Sequence, residues 1–170
     1  IEVEGSAVIR PGLRIDGHIA FLNATFDEGF LPSVPSEARY RIGTPIPLTD
    51  EDISGNRLSR APQWQARISG TYTFRLGNSH QVTAIASYRY QSNIFYLETN
   101  QSEETFRSGN WQEVGMRLEL SSADSRWKFA LFAENIFDDR HLTQITALNS
   151  FPNGAVNDPR KFGISGTANF

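Results

Sequence analysis

Three histidines, His18, His80 and His141, and three acidic runs, Asp50-Glu51-Asp52, Glu103-Glu104 and Asp138-Asp139, are the side chains best suited to metal or acid–base chemistry. Their spacing does not support it. The histidines lack the short intervals of a zinc site. Calcium needs about six to eight oxygens around a tight turn, and no EF-hand pattern accompanies the acidic runs. Adjacent carboxylates serve glycoside hydrolysis only when a pair is held across a cleft, and nothing here holds one. There is no P-loop, no G-x-G-x-x-G and no G-x-S-x-G element. Cysteine is absent, which excludes disulfides and thiolate ligands. The chain therefore predicts no catalytic centre, no metal site and no cofactor. His18 is expected on the polar face of a strand, His80 beside a short turn and His141 in a loop, the last two solvated. Asp138-Asp139-Arg140 reads as a turn at a strand end, and the other acidic runs as solvated loops.

Aromatic contact is the other chemistry on offer, with twelve Phe, five Tyr and three Trp. Tyr88, Tyr90, Phe95 and Tyr96 gather near the end of one strand. Two readings are open for Tyr90, Phe95 and Tyr96: an interfacial girdle at headgroup level, or a platform for an aromatic or sugar-like ligand. A net charge of -3 and a pI of about 5.6 argue against a nucleic-acid partner. Mean hydropathy is -0.40, and no stretch approaches the ~20 apolar residues of a membrane helix. A β-barrel can nevertheless be polar on average, because only alternate residues of each strand meet lipid.

The elements that must carry these residues are strands. Stretches of period-two alternation recur between turn residues. They run from Ile1 to Ile9, Leu13 to about Ala24, about Trp64 to Phe74, about Ser79 to Gln91, about Trp111 to Ser121, about Arg126 to Phe137, and Lys161 to Phe170. In the last, Phe162, Ile164, Gly166, Ala168 and Phe170 share one face and Lys161, Gly163, Ser165, Thr167 and Asn169 the other. Arg67, Arg89, Arg117 and Glu119 fall on the polar faces. Arg10-Pro11-Gly12, Arg75-Leu76-Gly77-Asn78 and Ser122-Ala123-Asp124-Ser125 form short turns. Between them lie long irregular connections over about 25–63, 92–110 and 138–160.

Short and long connections thus alternate, which places every long one at the same end. An outer-membrane barrel has this asymmetry, with short periplasmic turns and long external loops. The prediction is an all-β antiparallel meander forming part of a transmembrane β-barrel, with its last strand running inward. A soluble or cell-surface β-sandwich that binds carbohydrate or protein through its loops is the alternative. About seven strands is an odd count, and lipid cannot satisfy open edges. Upstream strands, or pairing with another chain, are therefore expected. The chain also starts inside a strand, as a piece of a longer protein would. Phe170 is expected to face lipid and anchor the closing strand.

Four stretches resemble those of TonB-dependent outer-membrane receptors. Ile1-Glu2-Val3-Glu4-Gly5 resembles a barrel strand of that family, and Arg60-Ala61-Pro62-Gln63-Trp64 the end of one of its loops. Ala133-Glu134-Asn135-Ile136-Phe137-Asp138-Asp139-Arg140 resembles its N-L-F-D-x-x-Y element, with His141 where an aromatic is usual. Asp158-Pro159-Arg160-Lys161-Phe162-Gly163, running to Phe170, resembles its closing strand. The resemblance implies that residues 1–170 are the carboxyl-terminal part of a barrel of about 22 strands. An amino-terminal plug, absent from this stretch, would fill that barrel. It implies no enzyme but uptake of a scarce nutrient across the outer membrane of a Gram-negative bacterium. A ferric siderophore is the first candidate ligand; haem, cobalamin or a carbohydrate are others. The implied partners are outer-membrane lipid, the nutrient, the TonB complex acting through the plug, and the barrel-assembly machinery, for which Phe170 is the implied signal. The polar-face arginines would then line the lumen and either steer ligand or meet the plug.

Overall fold

The computed structural model describes residues 1–31, 51–100, 106–148 and 151–169. Phe170, Asp50, Glu103 and Glu104 lie outside them. In chain order the strands are β1 (Glu2–Arg10), β2 (Leu13–Phe21), β3 (Phe30–Leu31), β4 (Glu51–Asp52), β5 (Trp64–Leu76), β6 (His80–Gln91) and β7 (Ile94–Phe95). They continue with β8 (Arg107–Ser108), β9 (Trp111–Ser122), β10 (Trp127–Glu134), β11 (Leu142–Leu148), β12 (Phe151–Val156) and β13 (Lys161–Ala168). The seven longest of the wall, β1-β2-β5-β6-β9-β10-β13, form one antiparallel sheet in that order. Each pairs with the next long strand in the chain, so the meander predicted from the alternation is what forms. The short pairs β3-β4, β7-β8 and β11-β12 sit inside the three long connections.

Register divides the sheet into two chemically different faces. One lateral row runs Ile15, Gly70, Ala86, Met116, Ala133, Phe162; its neighbour runs Leu13, Tyr72, Ala84, Leu118, Leu131, Ile164. These rows are open: Met116 is 54%, Leu131 58% and Ile164 80% exposed. Among the described residues no second layer covers them, so the sandwich alternative fails on its central requirement, a buried inter-sheet core. The opposite face carries rows such as His18, Arg67, Arg89, Glu113 and Thr73, Thr83, Glu119.

Aromatic rings bracket the apolar face. Phe21 and Trp64 pack at 4.7 Å near the long connections, and Tyr72 with Phe74 (5.4 Å) and Trp127 with Phe129 (5.5 Å) near the short turns. Strand residues advance ~3.3 Å each, so Trp64 and Phe74 stand about 33 Å apart along β5. A strand tilt of ~40° brings that to about 25 Å, the height of the apolar band of a barrel.

The buried hydrophobic cluster is not on the sheet. Ile94, Tyr96, Phe106 and Ile145 form it, with Leu97 and Leu142 against them, and all belong to the long connections. Four expected strand ends shift by two residues or more: β5 runs on to Leu76 rather than Phe74, β13 stops at Ala168, and two others end early. β2 stops at Phe21 rather than Ala24, and β10 at Glu134 rather than Phe137, because Asn135 takes φ 47° and breaks the extended run. The stretch after Asp138, expected to be irregular, contains the β11-β12 hairpin. Pro152-Asn153-Gly154, turn residues by type, lie inside its second strand.

Two glycines are required by close approach. At Gly163 an added Cβ would run into the Phe132 ring, which lies across it from β10. At Gly12 φ is +83°, and a Cβ would collide with the Thr73 carbonyl, to whose residue the Gly12 carbonyl is bound by the Thr73 N–H at 2.8 Å. Substitution Gly12→Ala therefore combines left-handed strain with a backbone clash. It is expected to destabilise the sheet by more than ~1 kcal/mol in a urea titration of the refolded protein, whereas Gly55→Ala, where nothing approaches, should show only the strain.

Candidate functional site

Two regions can meet a ligand: the polar face of the sheet and the cap built from the long connections. On the polar face, Arg89 pairs with Glu113, and Glu119 receives Lys128 at 2.8 Å and Arg117 at 3.4 Å. Arg117 also donates to the Ser165 hydroxyl at 3.3 Å. His18 meets Glu2 at 2.8 Å and Arg14 meets Asp16 at 2.6 Å. Arg67 and Arg89 face each other directly across β5 and β6. Like charges opposite one another repel, but Glu113, next in the row, pairs with Arg89, and both arginines line a polar depression of about 370 Å³ together with Ser87, Glu113, Glu134 and Asp158. Among the described residues no group of His, Asp or Glu could hold a metal ion.

The cap is stitched together by side chain to backbone bonds across distant loops. Asn100, at φ 51°, accepts the Arg57 N–H at 2.8 Å and donates back to the Arg57 carbonyl at 2.8 Å. Asn56 donates to the Glu98 carbonyl at 2.9 Å, and the Arg60 N–H to the Phe95 carbonyl at 2.7 Å. The Arg57 guanidinium donates to the Asn93 carbonyl at 2.6 Å and lies over the Phe95 ring at 5.1 Å. Burial pulls its pKa down. The third connection joins through Tyr96, whose hydroxyl donates to the Leu142 carbonyl at 2.7 Å. Burial pushes the Tyr96 phenol up, opposed by the Arg60 charge and a Ser108 hydrogen bond.

The three aromatic candidates therefore part company. Tyr96 is 6% exposed, inside the cap's core. Phe95 is half-buried beneath Arg57. Tyr90 is half-buried on the apolar face of the sheet, opposite Ala66 and Gln112. They do not make one surface. Arg57, Asn93 and Asn100 escape a sequence reading, because their partners lie far along the chain and no periodicity marks them.

The element around Asn135 explains its own composition. Asn135 is 6% exposed. Its amide donates to the Asp139 and Asp158 carbonyls at 2.9 and 3.1 Å, and its oxygen accepts the Asp139 N–H at 3.0 Å. One side chain thus pins the start of β13 to the end of β10. Asp139 accepts the Gln112 N–H at 3.0 Å, which ties the turn to β9. His141, expected to be solvated, instead has a side chain 8% exposed and stacks flat on Trp111, centroids 4.4 Å apart and planes within 3°, so it fills the place of an aromatic ring. Burial holds the His141 pKa below its usual 6.5, outweighing the attraction of Asp139 at 3.7 Å and of Glu113.

A lowered histidine pKa means that the unfolded loop takes up a proton more readily than the folded one. The loop's stability is then complete above pH 6.5 and is lost as pH falls from 6.5 through the lowered folded value. Amide protection factors in 135–148 and 151–157, corrected for the intrinsic pH dependence of exchange, should fall over that window. His141→Tyr, which keeps the stack without the titration, should flatten the response.

No family model matches the chain, and no curated protein matches it in sequence. Among solved structures it is similar to the ferric yersiniabactin uptake receptor FyuA from Yersinia pestis, with a TM-score of 0.71 and 18% identity. The match covers 99% of this chain and 23% of that one, so the chain spans less than a quarter of that receptor's length. At this identity the likeness establishes the fold: the seven-stranded meander is that of a section of such a receptor.

Proposed function

We propose that the chain is the carboxyl-terminal wall section of a TonB-dependent receptor in the outer membrane of a Gram-negative bacterium. A plug and the remaining strands would come from the rest of a longer protein. The observation that carries this reading is the open apolar face: a seven-stranded sheet with one oily side, one charged side and no second layer among the described residues. Hydrocarbon outside and water inside satisfy both sides at once. The aromatic bands at the two ends of that face, and long connections confined to one end, support the same orientation. The uptake role named for FyuA supports active import, with a ferric siderophore the first ligand to test before haem, cobalamin or a carbohydrate. In this reading Arg67 and Arg89 face the lumen, Tyr90 belongs to a lipid-interface girdle, and Phe170 serves barrel assembly.

Two experiments test the reading. The intact protein should fractionate with the outer membrane and require detergent for extraction, and a strain lacking it should lose growth on ferric siderophores under iron starvation. Recovery from the soluble fraction would refute the membrane assignment, and undiminished growth on every iron source would refute the cargo. At the level of single residues, Met116→Arg, midway between the aromatic bands on the apolar face, should cost about 2–4 kcal/mol in vesicles, while Ser69→Arg on the opposite face should cost under about 1 kcal/mol. Equal costs would contradict the proposed lipid and water sides.

A further inference from the structure

One arginine stands on the side of the sheet where a charge is least expected. Strict alternation from Ser6 and Val8 would place Arg10 on the polar face. The register shift between Val8 and Arg10 instead sets Arg10 opposite Leu13, and Leu13 belongs to the apolar row with Tyr72. The Arg10 guanidinium lies over the Tyr72 ring at 5.0 Å. The nearest ion pair along the hairpin, Arg14 with Asp16, is complete without it and lies on the other face. A bulge at a sheet's rim commonly re-aims a side chain, and this one delivers a cation to the apolar face, level with the turn-side aromatic band.

We propose that Arg10 binds the phosphate of a phospholipid headgroup in the leaflet on the short-turn side, with Tyr72 as the ring that positions it. The proposal rests on the membrane reading above. A guanidinium facing lipid needs an anion, and its planar fork matches phosphate oxygens in a two-point contact. A turn-end position costs little compared with mid-membrane, because the headgroup layer is within reach of the long side chain. Tyr72 supplies an amphipathic ring suited to the same layer. The aliphatic rows next to it offer the surface along which the acyl chains of that lipid would lie.

The test compares the intact receptor in bilayers of phosphatidylglycerol and of digalactosyl diacylglycerol, which lacks phosphate. The gain in folding equilibrium in the phosphate bilayer should be about fivefold smaller for Arg10→Gln than for the native protein, the effect of one cation near the surface. Arg10→Lys, which keeps charge without the fork, should lie between the two. An unchanged gain in Arg10→Gln overturns the proposal. Restoration of the native advantage by inorganic phosphate in galactolipid bilayers would also overturn it, since the site would then bind a free ion. Failure of the native receptor to enter either bilayer would strike the membrane reading itself, and so is distinguishable from failure of the lipid contact.

Discussion

Register is the constraint on which everything else in this molecule hangs. Side chains in a strand alternate with a period of two, so a slip of one residue exchanges the faces. Five consecutive interfaces, from β2 to β13, keep Leu13, Tyr72, Ala84, Leu118, Leu131 and Ile164 in one line. Charged residues then fall on the other side without any selection beyond the alternation itself. The sheet needs no buried core for this, because its backbone groups are satisfied laterally and its apolar side chains share one surface. Turn geometry guards the register: Gly12 and Gly77, in the β1-β2 and β5-β6 turns, adopt left-handed φ, and Gly12 is locked against Thr73.

The wall was largely legible in the sequence, because period two and punctuation by Pro, Gly, Asn and Asp are local properties. All seven wall strands and the three short turns follow from them to within a few residues. The errors have physical causes. Asn135 tolerates φ 47° and ends β10 early, and the apolar Ile136 and Phe137 beyond it carry a strand-like pattern past the break. Turn-type residues in β12 masked a hairpin whose pairing with β11 supplies the order. The positions of Tyr90, Phe95 and Tyr96 were within reach as a cluster in sequence, but their division among sheet face, loop surface and loop core depends on contacts with Ala66, Arg57 and Leu142 that no short window contains.

The cap shows why sites are harder to read than scaffolds. Arg57 and Asn100 are 43 residues apart, and the Asn100 side-chain amide both accepts from and donates to the Arg57 backbone. Tyr96 reaches Leu142 across 46 residues. These bonds satisfy buried polar groups that would otherwise be left without water. Only the Asn135 element announced itself, since one short stretch contains both the anchoring amide and the turn that it anchors. His141 on Trp111 shows that the shape of the ring, rather than its identity, is what this corner of the fold uses.

Wall and cap therefore answer to different rules of inheritance. The wall tolerates any exchange that respects the two-residue rhythm, so its amino acids can drift while its outline persists, as 18% identity alongside a TM-score of 0.71 illustrates. The cap is an interlocked set of long-distance partners around its own small oily nucleus. Its members must change together or be replaced wholesale. Replacing the entire set of loops on a standing palisade of strands is the change such an architecture accommodates, and piecemeal substitution within the nucleus is the one least open to it.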